Sequence, residues 1–313
     1  MTRPMAQLVV ICTRNRPADL TQALRHVRAI DARVEVLVAD SSDQQDAGKV
    51  AEIVDATTQC VLLPCTPGLA RQRNQALAWV RAERPDTDVV HFIDDDTEVL
   101  PGYFDEIAQT FASDPDLAGV GGVVLNQTRP RHVRAKSLFC LYSTRPGVVL
   151  PSGRTTIGHY EGDEARSPEW LPGCAMSYRL SLVGDTAFDD RLEGYSYGED
   201  MYFSHALRAR HRLAIARKAQ VVHRLSEQNR LSRTRLATDK VALLHRFVRE
   251  NPDRGMRRTA FWWSVVGDIV LKLADGVAHG DRDSVAESRA MLGGAWHTLR
   301  RPLPARRPGQ QGR

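Results

Sequence analysis

Asp88-Val-Val-His-Phe-Ile-Asp-Asp-Asp96 is an apolar run that reads as a buried strand and ends in three consecutive carboxylates. Carboxylates packed that closely at a strand end repel one another unless a cation or hydrogen-bond donors hold them, and oxygen ligands of this kind suit a divalent metal. The same residues also suit a solvated acidic turn that caps a helix beginning near Pro101, and Asp-x-Asp alone does not separate the two readings. The flanking sequence does.

Upstream, apolar runs alternate with helical periodicity. Leu8 to Cys12, Val34 to Ala39 and Cys60 to Leu63 read as strands, while Pro17 to Ile30 and Leu69 to Ala82 read as helices. This β-α-β-α-β order predicts a mainly parallel α/β sheet whose ligands bind beyond the carboxyl ends of the strands. Thr13, Asp40 and Asp94 all fall at such ends. Asp40 suits a base N–H or ribose hydroxyls and equally suits a strand-end turn, Asp40-Ser-Ser-Asp43 being turn-like. Arg73 suits a diphosphate, whose oxygens match a guanidinium fork. No Gly-x-Gly-x-x-Gly follows the first strand and no Gly-x-x-x-x-Gly-Lys-Ser/Thr occurs, so dinucleotide-binding and P-loop chemistries lose their main support.

The 313 residues suffice for one large core with an appendage, and the net charge of +5 is concentrated in C-terminal arginines: Arg254, Arg257, Arg258, Arg300, Arg301, Arg306, Arg307 and Arg313. A basic C-terminal third points to an anionic surface as partner. Nucleic acid is not expected, because no aromatic stacking platform is interleaved with these charges. Five scattered cysteines without a Cys-x-x-Cys pair argue against a disulfide framework or a zinc knuckle and for a reducing cytoplasm. No apolar run approaches the roughly 20 residues that span a bilayer, and no signal segment opens the sequence.

Taken in order, Cys12-Thr-Arg-Asn-Arg-Pro17, Val38-Ala-Asp-Ser-Ser42, Gly68-Leu-Ala-Arg-Gln-Arg-Asn74 and Phe92-Ile-Asp-Asp-Asp96, then Trp170-Leu-Pro-Gly173, Phe188-Asp-Asp-Arg-Leu192 and Gly198-Glu-Asp200, resemble the family 2 glycosyltransferases. These are inverting enzymes of the GT-A fold that use nucleotide sugars. The resemblance spans residues 8 to about 225 and implies roles position by position. Thr13, Asp40, Arg73 and Asn74 match residues lining the nucleotide pocket. Asp94 and Asp96 match the Asp-x-Asp that holds Mg²⁺ or Mn²⁺ against the diphosphate, and Asp95 between them matches a ribose or sugar contact. Asp200 matches the catalytic base, and Glu199 would orient the acceptor or the Asp. His223, ending an apolar run from Ala219, either completes the metal shell or is a hydrogen-bonded strand-end histidine. Trp170 is either a stacking face for the acceptor sugar, with Gly173 permitting close backbone approach at the same place, or a core aromatic beside a turn.

The chemistry of these residue types agrees. A divalent ion stabilises the charge that collects on a departing nucleotide diphosphate, and one carboxylate must take the proton of the attacking hydroxyl. Asp200 lies where the loop Gly194-Tyr-Ser-Tyr-Gly198 gives way to a helical segment from Glu199 to Arg210, and a helix N-terminus favours its ionised form. The expected organisation is a nucleotide-sugar-binding half over 1–125 and an acceptor and catalytic-base half over 126–225. A helical region over 226–301 and a disordered tail over 302–313 complete it. In the helical region, Ser232 to Glu250 and Arg257 to Ala278 read as helices, the second amphipathic around Phe261-Trp-Trp263. Such a helix either docks on the catalytic domain or lies peripherally at a membrane. The expected activity is metal-dependent sugar transfer, with inversion, to a hydroxyl of a glycan or lipid-linked saccharide. A sugar-phosphate nucleotidyltransferase and a noncatalytic glycan- or nucleotide-sugar-binding module are the alternatives.

Overall fold

The computed structural model describes residues 3–128, 130–156, 167–192, 196–226, 228 and 231–304. The expected tail from 305 onward, with Arg306, Arg307 and Arg313, and the loop positions Gly194 and Tyr195 lie outside these residues. In chain order the elements are β1 (Gln7–Thr13), α1 (Pro17–Ile30), β2 (Glu35–Asp40), α2 (Gln44–Asp55), β3 (Cys60–Pro64), α3 (Leu69–Glu83), β4 (Val89–Asp94), β5 (Thr97–Val99) and α4 (Tyr103–Ser113). There follow β6 (Leu117–Val124), α5 (Val133–Leu138), β7 (Ala175–Arg179), α6 (Leu180–Val183), α7 (Glu199–Arg208), β8 (Arg212–His223), α8 (Arg233–Glu250), α9 (Arg258–His279) and α10 (Arg282–Arg300).

Among the described residues the strands form one eight-stranded sheet in the order β3-β2-β1-β4-β7-β6-β8-β5. β1 runs parallel to β2 and β4, and β2 to β3, as the alternating pattern predicts. β7 enters antiparallel between β4 and β6. Both faces are covered, which is why the strands are apolar throughout. Val9, Ile11, Val36 and Val38 pack with α1, α2 and α4. Leu8, Val10 and Leu37, pointing the other way, pack with α3 and α7. His91 in the central strand is fully buried and satisfied on both ring nitrogens, by Ser177 Oγ at 2.8 Å and Gln7 Oε1 at 3.0 Å. Burial drives its pKa down to about 3, so it is a neutral core residue.

Two pairings position the site. Register sets Thr13 beside Asp40 and Cys12 beside Asp94, so the carboxyl ends of β1, β2 and β4 lie abreast. β5, immediately after the three aspartates, pairs antiparallel with the end of β8, setting Thr97 beside His223.

The described residues form two compact units, one drawn from 1–127 and 159–230 and the other from 128–158 and 231–311. The first holds the sheet. The second joins α5 and the segment after it to α8, α9 and α10. Within it, Gly267 on α9 lies so near Phe139 that a Cβ would come within 2.1 Å of the ring, and Arg154 pairs with Asp268 at 2.9 Å. No described helix is long and apolar enough to cross a membrane.

Candidate active site

Asp94, Asp96 and His223 converge because a tight turn reverses the chain between β4 and β5 while β8 pairs with β5. One ligand atom from each lies within 4.8 Å of the others. His223 Nε2 meets Asp96 Oδ1 at 2.9 Å, and Asp96 Oδ2 accepts the backbone N–H of Ser226 at 2.9 Å. Burial opposes the charged imidazole, but hydrogen bonds to Asp96 and Cys174 outweigh it and raise His223 to about 11. Burial likewise opposes the Asp96 carboxylate, and its bond to His223 more than offsets this, lowering its pKa. Two carboxylates and an imidazole at this spacing fit a divalent ion of the Mn²⁺ or Mg²⁺ class.

Asp95 faces away from that cluster. It is 4% exposed, and its oxygens accept from Thr13 Oγ1 at 2.8 Å and Arg16 at 3.0 Å. Burial raises its pKa to about 7 against the pull of Arg16 and Thr13. Both oxygens fasten the turn after β4 to the loop after β1. The Thr13 hydroxyl is committed to the same bond. Asp40 Oδ1 accepts from the Ser42 backbone at 3.0 Å and hydroxyl at 2.6 Å, which is the strand-end turn chemistry its sequence allowed.

Arg73 is 1% exposed, flanked by the rings of Phe92 and Phe188, and its guanidinium donates to Asp94 Oδ1 at 3.0 Å, to Gly173 O at 3.0 Å and to Glu199. It thereby links the end of β4 to the start of α7 through two carboxylates, while its Nε–H has no partner among the described residues. The Asn74 side-chain amide donates to Phe188 O at 2.9 Å and accepts from Phe188 N at 2.8 Å, clamping that loop to α3.

At the head of α7, Glu199 is buried, and burial pushes its pKa up against the pull of Arg73. Asp200 accepts from Gly173 N at 2.9 Å and Met201 N at 2.7 Å. Its pKa is raised: burial outweighs those two N–H groups and Arg73. The helix N-terminus thus does not hold Asp200 at an ordinary acidic pKa, as its position in the sequence suggested. Gly173 proves important for a different neighbour than expected, since a Cβ there would meet the Asp200 carboxylate at 3.2 Å and Glu199 at 3.3 Å. Trp170 is 5% exposed.

Sequence reading passed over Arg16, Ser226, Cys174 and Gln72. Gln72 is buried and donates to Thr13 O at 2.9 Å and Ala39 O at 2.7 Å, tying β1 to β2 where the pocket begins. A polar residue on the inward face of α3, flanked by Ala70 and Ala76, is the signal that could have found it.

Residues 8–167 match the sequence model described as Glycosyl transferase family 2. The chain belongs to that family. This family 2 glycosyltransferase is also similar in structure to TarS of S. aureus, with a TM-score of 0.53 and 15% identity, over 94% of this chain and 81% of that one. The mannosyltransferase PcManGT of Pyrobaculum calidifontis, in complex with GDP-Man and Mn²⁺, aligns with a TM-score of 0.51 and 17% identity over 95% and 88% of the two chains. GalNAc-T7 with UDP, GalNAc and Mn²⁺ gives 0.59 and 15% over 96% and 59%. At these identities the likeness is one of fold, and the glycosyltransferase has the GT-A architecture. No curated protein matches the chain by sequence.

Proposed function

We propose that this glycosyltransferase moves a sugar from a nucleoside diphosphate donor to a hydroxyl of a glycan or lipid-linked saccharide, with inversion at the anomeric carbon. The observation that carries the reading is the convergence of Asp94, Asp96 and His223 at the strand ends, joined through Arg73 and Gly173 to Asp200. The Mn²⁺ and nucleotide sugars bound by solved proteins of the same fold support it.

Asp94, Asp96 and His223 would hold the ion, and the imidazole favours Mn²⁺ over the harder Mg²⁺. When bound, the ion supplies Lewis acidity to a leaving diphosphate. The remaining work belongs to the protein. Asp200 takes the proton of the attacking hydroxyl, and its raised pKa brings it closer to the value a general base needs near neutrality. The N–H groups of Gly173 and Met201 hold that carboxylate in one orientation. Arg73 neutralises Glu199 and part of Asp94, so that the site can gather carboxylates without expelling them. Thr13 and Asp40, at neighbouring strand ends, border the place where a nucleoside would sit.

Product stereochemistry tests the mechanism. A panel of UDP- and GDP-sugars of known anomeric configuration, incubated with simple saccharide acceptors and followed by proton NMR, should give a product of opposite configuration. A product that retains the donor's configuration would exclude Asp200 as the base of a single displacement.

A further inference from the structure

Of the eleven large apolar side chains exposed among the described residues, eight lie on α9 and α10: Trp263, Val266, Val270, Leu273, Val277, Leu292, Trp296 and Leu299. On each helix the spacing is three or four residues, so each set forms one stripe. Such a concentration marks an interaction surface, whereas singly scattered apolar residues mark nothing.

The two stripes share a face. Gly276 lies against Val285, Lys272 pairs with Glu287, and Ser288 Oγ donates to Ile269 O at 3.4 Å, which fixes α9 and α10 as an antiparallel hairpin. Extending that register brings Trp263 level with Trp296, and Arg258 level with Arg301. The open end of the hairpin therefore carries both tryptophans together with Arg257, Arg258, Arg300 and Arg301, all four exposed, with Glu250 at the end of α8 and Asp253 the nearby acids. The turn end carries Asp275, Asp281 and Asp283, with Arg282 among them. Trp296 is 59% exposed and lies under the Arg300 guanidinium at 3.9 Å; Trp263 is 47% exposed, with Nε1 donating to Leu138 O.

We infer that this hairpin face docks on an anionic lipid surface, its open end entering the headgroup layer. The charge gradient decides among occupants. Apolar side chains and indoles suit the boundary between headgroups and acyl chains, and the arginines beside them suit lipid phosphates. In a symmetric pairing of two copies at the open end, the same four arginines would face one another. The inference rests on the second unit alone and needs no donor chemistry.

Flotation of the full chain with vesicles of phosphatidylcholine alone, or of equal parts phosphatidylcholine and phosphatidylglycerol, tests it without any sugar nucleotide. Binding to the mixed vesicles is expected at low salt, with loss at high salt and little binding to phosphatidylcholine. Arg300→Gln with Arg301→Gln should weaken binding about thirty-fold, the value of two basic residues at an anionic surface. Val270→Ser with Trp296→Ser should weaken the low-salt binding as well, and circular dichroism should show both pairs folded, because all four side chains are exposed. No binding at low salt would overturn the inference. So would unchanged binding by both pairs of variants, or a dimer seen by light scattering that Val270→Ser with Trp296→Ser dissolves.

Discussion

Asp200 and Gly173 touch so closely that each constrains the other, and substitutions here separate chemistry from folding. Asp200→Asn keeps the shape and an oxygen for the Gly173 N–H but cannot take a proton; transfer should fall about 10²- to 10⁴-fold, with donor affinity unchanged. Initial rates beside donor dissociation constants measure both. Because the Asp200 pKa is raised, its basic form is lost as pH falls through that raised value. The acid limb of the wild-type rate should thus lie above the ordinary carboxylate range and vanish from the residual activity of Asp200→Asn. Arg73→Ala is a different experiment. It strands Glu199 and exposes Asp94 to its neighbours' charge, and should cost about 3–5 kcal/mol in chemical denaturation, the usual effect of breaking a buried ion pair on one side. Asp94, Asp96 and His223, singled out in the sequence by residue type, do come together in the fold. The hydrogen-bond partners of Arg73 and Asn74 could not be read there, because they are set by neighbours a hundred residues away.

Strands β1 to β4 and helices α1 and α3 followed from periodicity, since each is a contiguous apolar run or stripe; α2, with only Val50 and Val54 buried, did not. β6 and β7 did not. β6, Leu117-Ala-Gly-Val-Gly-Gly-Val-Val124, carries glycines that suggest a loop. In the fold they are packing residues: a Cβ on Gly119 would meet Tyr178 at 2.9 Å, and one on Gly122 would meet Tyr103 at 2.7 Å. β8 is longer than its apolar end suggested, because Arg217 and Lys218 separate the apolar run Leu213-Ala-Ile-Ala216 from Ala219-Gln-Val-Val222 within one strand. α10 also escaped notice, its apolar residues being divided between an exposed face and contacts with α8 and α9. α9 has its own glycine test. Gly267→Ala forces a methyl into Phe139 and should destabilise the protein by about 1–3 kcal/mol, as overpacking does. Gly293→Ala, on α10, meets nothing within 4 Å and should be neutral or stabilising in the same thermal melt.

Taken together, the chain joins a sheet unit that carries the chemistry to a helical unit that carries an exposed apolar face. The family match ends at residue 167, yet Asp200 and His223 reach the same strand ends as Asp94, one by the packing of α7 on Gly173 and the other by the pairing of β8 with β5. The site is therefore a product of the complete sheet, and only its first half could be placed from local pattern. Isothermal titration of UDP and GDP, with and without Mn²⁺, into wild type, Asp94→Ala and Asp96→Ala probes this arrangement at its centre. Wild type should bind at least one nucleotide far more tightly with Mn²⁺, and both variants should lose that dependence. Wild-type affinity and undiminished Mn²⁺ dependence in both variants would show that the three carboxylates form an acidic turn and that no metal works there.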